Sequence, residues 1–287
     1  MQIVDTPEAM QSLSRSWRGD GELVGFVATM GALHDGHLSL ARAAREQCDR
    51  FVASIFVNPL QFEAQEDLEK YERPFDRDCR LLREVGCDAV FAPSVEAMYG
   101  ARKTGSSYSA RTFVEVEGLS DVLEGKTRPG HFRGVATIVA KLFNIVGPQR
   151  AYFGEKDYQQ LKVIEQMVHD LFLDVEIVPC STVREEDGLA MSSRNARLTP
   201  DERNAATVLS RALREGVTLA RDGERNAARL VEIMRALCEA QPLVDVQYVA
   251  VVDAGTLEPM TELDELPVRA LIAASVGGTH LIDNMAL

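Results

Sequence analysis

The sequence is short of most features that would settle its class at a glance. Its 287 residues contain no run approaching the roughly 18 apolar residues of a membrane span, so no membrane partner is expected. The opening stretch, MQIVDTPEAMQSLSRSW, lacks the apolar centre of a signal peptide. There are five cysteines, Cys48, Cys79, Cys87, Cys180 and Cys238, an odd number with no C-x-x-C pair. That argues against a disulfide scaffold or a zinc cluster and for reduced, mostly buried thiols in a cytoplasmic protein. Basic charge is also scarce: 31 Lys and Arg against 44 Asp and Glu leave a net charge of −13. A broad basic surface for nucleic acid is therefore not expected. An anionic small molecule is still open, because a few local cations and helix N-termini can bind one. Neither a Walker P-loop nor a G-x-G-x-x-G occurs, and there are no repeats or low-complexity segments.

What is present is an ordinary globular composition, 46% hydrophobic and 26% charged, in a chain long enough for one or two domains. Short apolar runs alternate with helical patterns. Strands are expected at 22–29, 50–57, 87–94 and 174–180, a strand and a turn within 150–156, and helices at 37–48, 75–86, 134–147 and 158–172. This alternation implies a Rossmann-like α/β domain over 1–184, built on a parallel sheet covered on both faces. Ligands of such sheets lie beyond the carboxyl ends of the strands, which here means just after residues 29, 57, 154 and 180. The character then changes. A long helix is expected at 199–223, opened by Thr199 and Pro200. Another follows at 226–241, and 244–254 and 268–284 read as strands of a small sheet. Residues 185–287 are thus expected to form a smaller α+β C-terminal lid domain.

Five stretches carry chemistry. In VATMGALHDGHLSL (27–40), Gly31 and Gly36 permit a tight turn. A helix starting near His37 would point its unpaired N–H groups and positive dipole end at that turn, an anion site to which His34 and His37 add donors. A single histidine is usually a satisfied structural residue; a pair straight after a buried strand outweighs that reading. A two-histidine metal site lacks a third ligand. In FVNPLQF (56–62), Asn58 and Gln61 offer neutral amides to hydroxyls or carboxylates, unless they are ordinary turn residues. RPGHFRGV (128–135) sets Arg128, His131 and Arg133 before an apolar helix, either an anion site or a solvated basic loop. FGEKDYQQL (153–161) offers Lys156 for phosphate, Asp157 for ribose hydroxyls and Gln160 one turn further on. REEDGLAMSSRNARL (184–198) gathers Ser192, Ser193 and Arg194, the composition of a phosphate clamp on a loop able to close.

Together and in this order, these stretches closely resemble the pantoate–β-alanine ligase family over essentially the whole chain. TMGALHDGH is similar to the H-x-G-H signature of nucleotidyltransferases and class I aminoacyl-tRNA synthetases, and MSSRN to that group's second, mobile phosphate loop. The resemblance implies ATP and Mg²⁺ as cofactors, and pantoate and β-alanine as substrates. It implies a pantoyl-adenylate intermediate and a homodimer. It assigns the ATP phosphates to His34, His37, Lys156, Ser192, Ser193 and Arg194, with His34, His37, Lys156 and Arg194 the catalytic set. Gly154, Asp157 and Met191 would line the adenosine site, and Thr29 and Met30 the cleft floor. Gln61 and Gln160 would bind pantoate, with Asn58, Tyr71, His131 and Arg133 completing the substrate set. Asp78, as the metal residue, and Gln61 match family positions near the Mg²⁺ or the β-alanine region. The sequence departs from the family pattern at Ala28, where P-T-M-G is usual, and at Glu72, where Y-P-R is usual; the latter falls in a mobile loop expected over 62–74. A nucleotidyltransferase with another acceptor and a non-catalytic nucleotide sensor are the other readings of the same residues.

Overall fold

The computed structural model describes residues 1–62, 65–101, 108–263 and 267–287. The chain falls into two units, Met1–Glu155 with Val163–Cys180, and Lys156–Lys162 with Ser181–Leu287. In the first, six strands are present among the described residues: β1 Gln2–Val4, β2 Val24–Thr29, β3 Arg50–Ile55, β4 Ala89–Phe91, β5 Arg150–Gly154 and β6 Glu176–Cys180. All pair in parallel, in the order β1-β4-β3-β2-β5-β6. Parallel strands need crossover connections and burial on both faces, and Phe26, Val27, Phe51, Val52, Val90 and Phe91 are all buried. Successive side chains point to opposite faces. One face packs Val27, Phe51, Ala53 and Tyr152 against Leu40, Ala41 and Ala44 of the helix Asp35–Gln47. On the other, Phe26 and Phe153 each meet Phe143 edge-on at 6.3 Å. Phe143 belongs to the helix His131–Val146, buried almost all round. The chain runs from β2 outward to β3 on one side, while β5 is added on the other. The switch point of the sheet therefore lies beyond the ends of β2 and β5.

The second unit is an α+β layer pair. Strands β7 Val244–Asp253, β8 Val268–Val276 and β9 Thr279–Ala286 form an antiparallel sheet with β8 central. The helices Val208–Arg221 and Ala227–Glu239 lay Leu213, Leu230, Met234 and Cys238 against Val251, Ile272 and Ala274. The fold is thus a Rossmann-like parallel-sheet α/β unit with a smaller α+β unit. Among the described residues no helix is long and apolar enough to cross a membrane.

Several elements differ from the sequence reading. The helix expected at 199–223 is two helices, Pro200–Ala206 and Val208–Arg221. At the break the Thr207 hydroxyl donates to the Asn204 carbonyl at 2.7 Å, a local bond that competes with the helix ladder. The run 268–284 is a hairpin, β8 and β9, turning through Gly277 and Gly278 at φ 55° and 83°. The helix expected from 134 begins at His131, and the one expected near His37 begins at Asp35. Strand β1 and the helix Pro7–Gly19 were not anticipated, although Thr6 caps that helix and Pro7 opens it. Within the loop expected over 62–74, Gln65–Lys70 is helical, and residues 63 and 64 lie outside the described residues.

Candidate active site

β2 ends at Thr29 and the chain turns through Met30–Leu33 into the helix Asp35–Gln47. Gly31 sits at φ 83° and Ala32 at φ 51°, left-handed for a residue with a Cβ. That conformation costs on the order of 1 kcal/mol and persists only where surroundings impose it. Asp78 imposes it. Its Oδ2 accepts the Ala32 N–H at 2.8 Å and its Oδ1 the Leu33 N–H at 2.9 Å, and the residue is wholly buried. Thr29 Oγ1 donates to the Ser54 carbonyl at 2.6 Å and accepts the Gly31 N–H at 3.2 Å, while the Tyr71 hydroxyl donates to the Gly31 carbonyl at 3.4 Å.

The clamped turn delivers His34 to the helix N-cap. Its Nδ1 accepts the Gly36 N–H at 3.1 Å, and His37 Nδ1 accepts the His34 N–H at 3.4 Å, a capping box made by two imidazoles. The ring centroids are 4.1 Å apart. A neutral imidazole that accepts at Nδ1 carries its proton at Nε2. Both rings are therefore hydrogen-bond donors at their Nε2 edge, at the positive end of a helix dipole.

A second network surrounds Gln61. Asn58 is buried; its Oδ1 accepts from the Tyr99 hydroxyl at 2.8 Å and the Leu60 N–H at 3.3 Å. Its Nδ2 donates to the Gln61 side chain at 3.1 Å and the Gly134 carbonyl at 3.0 Å. Gln61 Nε2 in turn lies 2.8 Å from Met30 Sδ, joining this network to the turn after β2. His131 Nδ1 lies 2.9 Å from the Gln61 carbonyl, so it donates, and its Nε2 accepts from Arg128 at 3.3 Å. Asn58 and His131 thus both hold Gln61. Tyr99, which anchors Asn58, was not anticipated; burial pushes its hydroxyl well above the usual phenol range.

In the second unit, Lys156 Nζ lies 3.8 Å from Asp157 Oδ1. Lys156, Ser192, Arg194, Asn195, His280 and Asp283 line a small cavity that opens to solvent. Ser192 caps the short turn Ser193–Arg197 by accepting the Arg194 N–H at 3.2 Å. Asn195 Nδ2 fastens that turn to Glu185 at 2.8 Å and to the Ala190 carbonyl at 3.1 Å. Met191 and Gln160 are half-buried, Ser193 is exposed, and Gly154 closes β5 with open space where a Cβ would stand.

Arg133 and Asp78 both have partners within the protein. The Arg133 guanidinium lies 4.1 Å over the Phe113 ring and 4.0 Å from Glu115. Asp78 is a clamp on backbone N–H groups, and the described residues contain no cluster of three metal-ligating side chains around it or elsewhere. His280, Asp283 and the capping role of the histidines were missed. The first two sit in a strand that reads as ordinary apolar β, and the capping role is played by a residue type rarely found there.

Comparison with known proteins gives the chain its relatives. The family model described as pantoate–β-alanine ligase matches residues 2–286. The pantothenate synthetase of Rubrobacter xylanophilus is 59% identical over 285 residues, covering 99% of this chain and 98% of that one. That of Moorella thermoacetica is 51% identical over 289 residues, covering 100% and 99%. Among solved structures, Thermus thermophilus pantothenate synthetase superposes with a TM-score of 0.90 at 45% identity, covering 99% of each chain. Francisella tularensis pantoate–β-alanine ligase, complexed with β-γ ATP and β-alanine, gives 0.80 at 33%, covering 100% and 97%. The chain is a ligase and belongs to the pantoate–β-alanine ligase family.

Proposed function

We propose that the chain condenses pantoate with β-alanine, driven by ATP, through a pantoyl adenylate. In the first step a pantoate carboxylate oxygen attacks the α-phosphorus, and the bond to the β-phosphate bridging oxygen breaks, releasing pyrophosphate. In the second, the free amine of β-alanine attacks the acyl carbon, the C–N bond forms and AMP leaves with its oxygen. Neither step needs a protein nucleophile. Both need alignment and neutralisation of charge on the phosphates.

The observation that carries this reading is the histidine pair, two Nε2 donors held by a capping box after β2, at the switch point of a parallel sheet. On it we assign His34 and His37 as donors to the phosphates. Lys156, Arg194, Ser192 and Ser193 neutralise and bond the departing pyrophosphate. Thr29, Met30, Gly154, Asp157 and Met191 border the adenosine. Gln61 and Gln160 bond pantoate, with Asn58, His131 and Tyr71 supporting. The complex of the Francisella relative with β-γ ATP and β-alanine supports both ligands. Magnesium enters as part of the substrate, MgATP, with phosphate oxygens as its main ligands. Asp78, both oxygens engaged on backbone N–H groups, does not fit as its principal protein ligand, and no step is routed through it. The active species is a cytoplasmic homodimer.

Exchange of labelled pyrophosphate into ATP tests the intermediate. Exchange that requires pantoate and proceeds without β-alanine is the expected result. Exchange supported by a phosphorylated alcohol and not by pantoate overturns the reading in favour of a nucleotidyltransferase. ATP binding with no exchange, whatever acid is offered, overturns it in favour of a sensor.

A further inference from the structure

We infer that Asp283 and Asn284 on β9 are positioning residues for the phosphate-binding groups, fixing Lys156 and the loop carrying Ser192 and Arg194 from one strand; this deepens the proposed function and rests on it. Both are buried, at 3% and 4% exposure. As neighbours in a strand they point to opposite faces, so a polar pair occupies both layers of a sheet whose other buried residues, Arg269 apart, are apolar.

Each side chain holds a different segment that contributes to the cavity lining. Asp283 takes the Arg184 guanidinium in a two-pronged ion pair, at 2.7 and 2.9 Å. The same guanidinium donates to the Gly188 carbonyl at 3.1 Å, and the Arg184 backbone bridges Ala190. Arg184 therefore sets the base of the loop that leads two residues later to Ser192. Asn284 Nδ2 donates to the Lys156 carbonyl at 2.9 Å, and its Oδ1 accepts from Arg269 at 2.6 Å. Arg269 lies 3.8 Å over the Tyr158 ring, and the Tyr158 hydroxyl donates to the Ala254 carbonyl at 2.7 Å, so the segment after Lys156 is held as well. A buried ion pair is a weak source of stability, since apolar residues of equal volume do as well or better. Its geometric specificity is what a phosphate site needs, because a displacement of about 1 Å at a positioned group lowers rate by roughly a hundredfold.

Two substitutions separate positioning from bulk stability. Asn284→Asp keeps the volume and the acceptor for Arg269 but turns an acceptor oxygen toward the Lys156 carbonyl. Arg184→Lys keeps the charge and removes the fork. AMP formation is measured with ATP, pantoate and β-alanine each varied, and the melting temperature is recorded alongside. The inference predicts that the KM for ATP rises by roughly tenfold or more in both variants, while the KM for β-alanine stays within about twofold. Asn284→Asp melts lower because its new buried oxygen faces a carbonyl, and both variants remain fully folded at the assay temperature. An unchanged KM for ATP in both, or a loss of melting temperature with all three KM values moving together, overturns it. If the unmodified protein forms no AMP from ATP and pantoate with β-alanine, the proposed function fails instead, and the two failures are distinguished.

Discussion

His34 does two jobs with one ring: Nδ1 caps the helix and Nε2 is directed to donate. The jobs are separable. Asparagine is a good N-cap and lacks an imidazole N–H, so His34→Asn is expected to leave unfolding free energy within about 0.5 kcal/mol. The same change is expected to lower kcat/KM for ATP by about a hundredfold. Urea denaturation and initial rates on the same preparation check both. Asp78 behaves differently, since its two oxygens serve two N–H donors in a left-handed turn. Asp78→Asn faces one of those donors with an amide N–H, and leaving it unsatisfied is expected to cost about 1–3 kcal/mol. Activity falls too, because the turn carries His34. Full activity with full stability in this variant would show that the clamp is dispensable.

At the scale of elements, the helix His131–Val146 approaches the turn Pro59–Gln61 only because Gly134 has no side chain; a Cβ there would stand 2.4 Å from the Leu60 carbonyl oxygen. Gly134→Ala is expected to destabilise by about 1–3 kcal/mol and to raise the KM for pantoate, since the same turn orients Gln61. A pantoate KM equal to that of the unsubstituted protein would contradict this. This helix also shows what the sequence discloses. Its apolar pattern was plain, and its start was misplaced because His131 reads as a loop cation. Its ring in fact bonds a carbonyl 70 residues earlier. Strands β2, β3 and β5 were legible because buried parallel strands are continuous apolar runs. The helix break at Thr207 was not, because one threonine amid good helix formers carries no local signal. The loops of the candidate site were legible for the same reason as the strands they follow. Glycine permits the turn, and a histidine, lysine or arginine after an apolar run stands out. What stayed hidden was which polar residues serve other residues: Asp78 for Ala32, His131 for Gln61, Asp283 for Arg184.

Over the whole molecule, burial leaves a pH signature. All five cysteines are free thiols raised by desolvation, with Cys87 pushed up to about 12 and Cys238 to about 11 from 9.0. The folded chain therefore holds these protons to higher pH than the unfolded one does. The stability associated with them is complete below about pH 9 and is lost as pH rises toward about 11 to 12. The urea midpoint is expected to be steady from neutral pH to about 8.5 and to fall progressively above 9. A midpoint that holds at pH 11 would contradict it. With a net charge of −13, the proposed function leaves anion binding to local groups: two imidazoles at a helix start, one lysine and one arginine. The most direct measurement of the account is mass detection of products after incubating the protein with MgATP, pantoate and β-alanine. Pantothenate and AMP in equal amounts, both lost in Lys156→Ala with the fold intact, is the predicted result. Release of ADP in place of AMP, or pantothenate formed undiminished by Lys156→Ala, would contradict it.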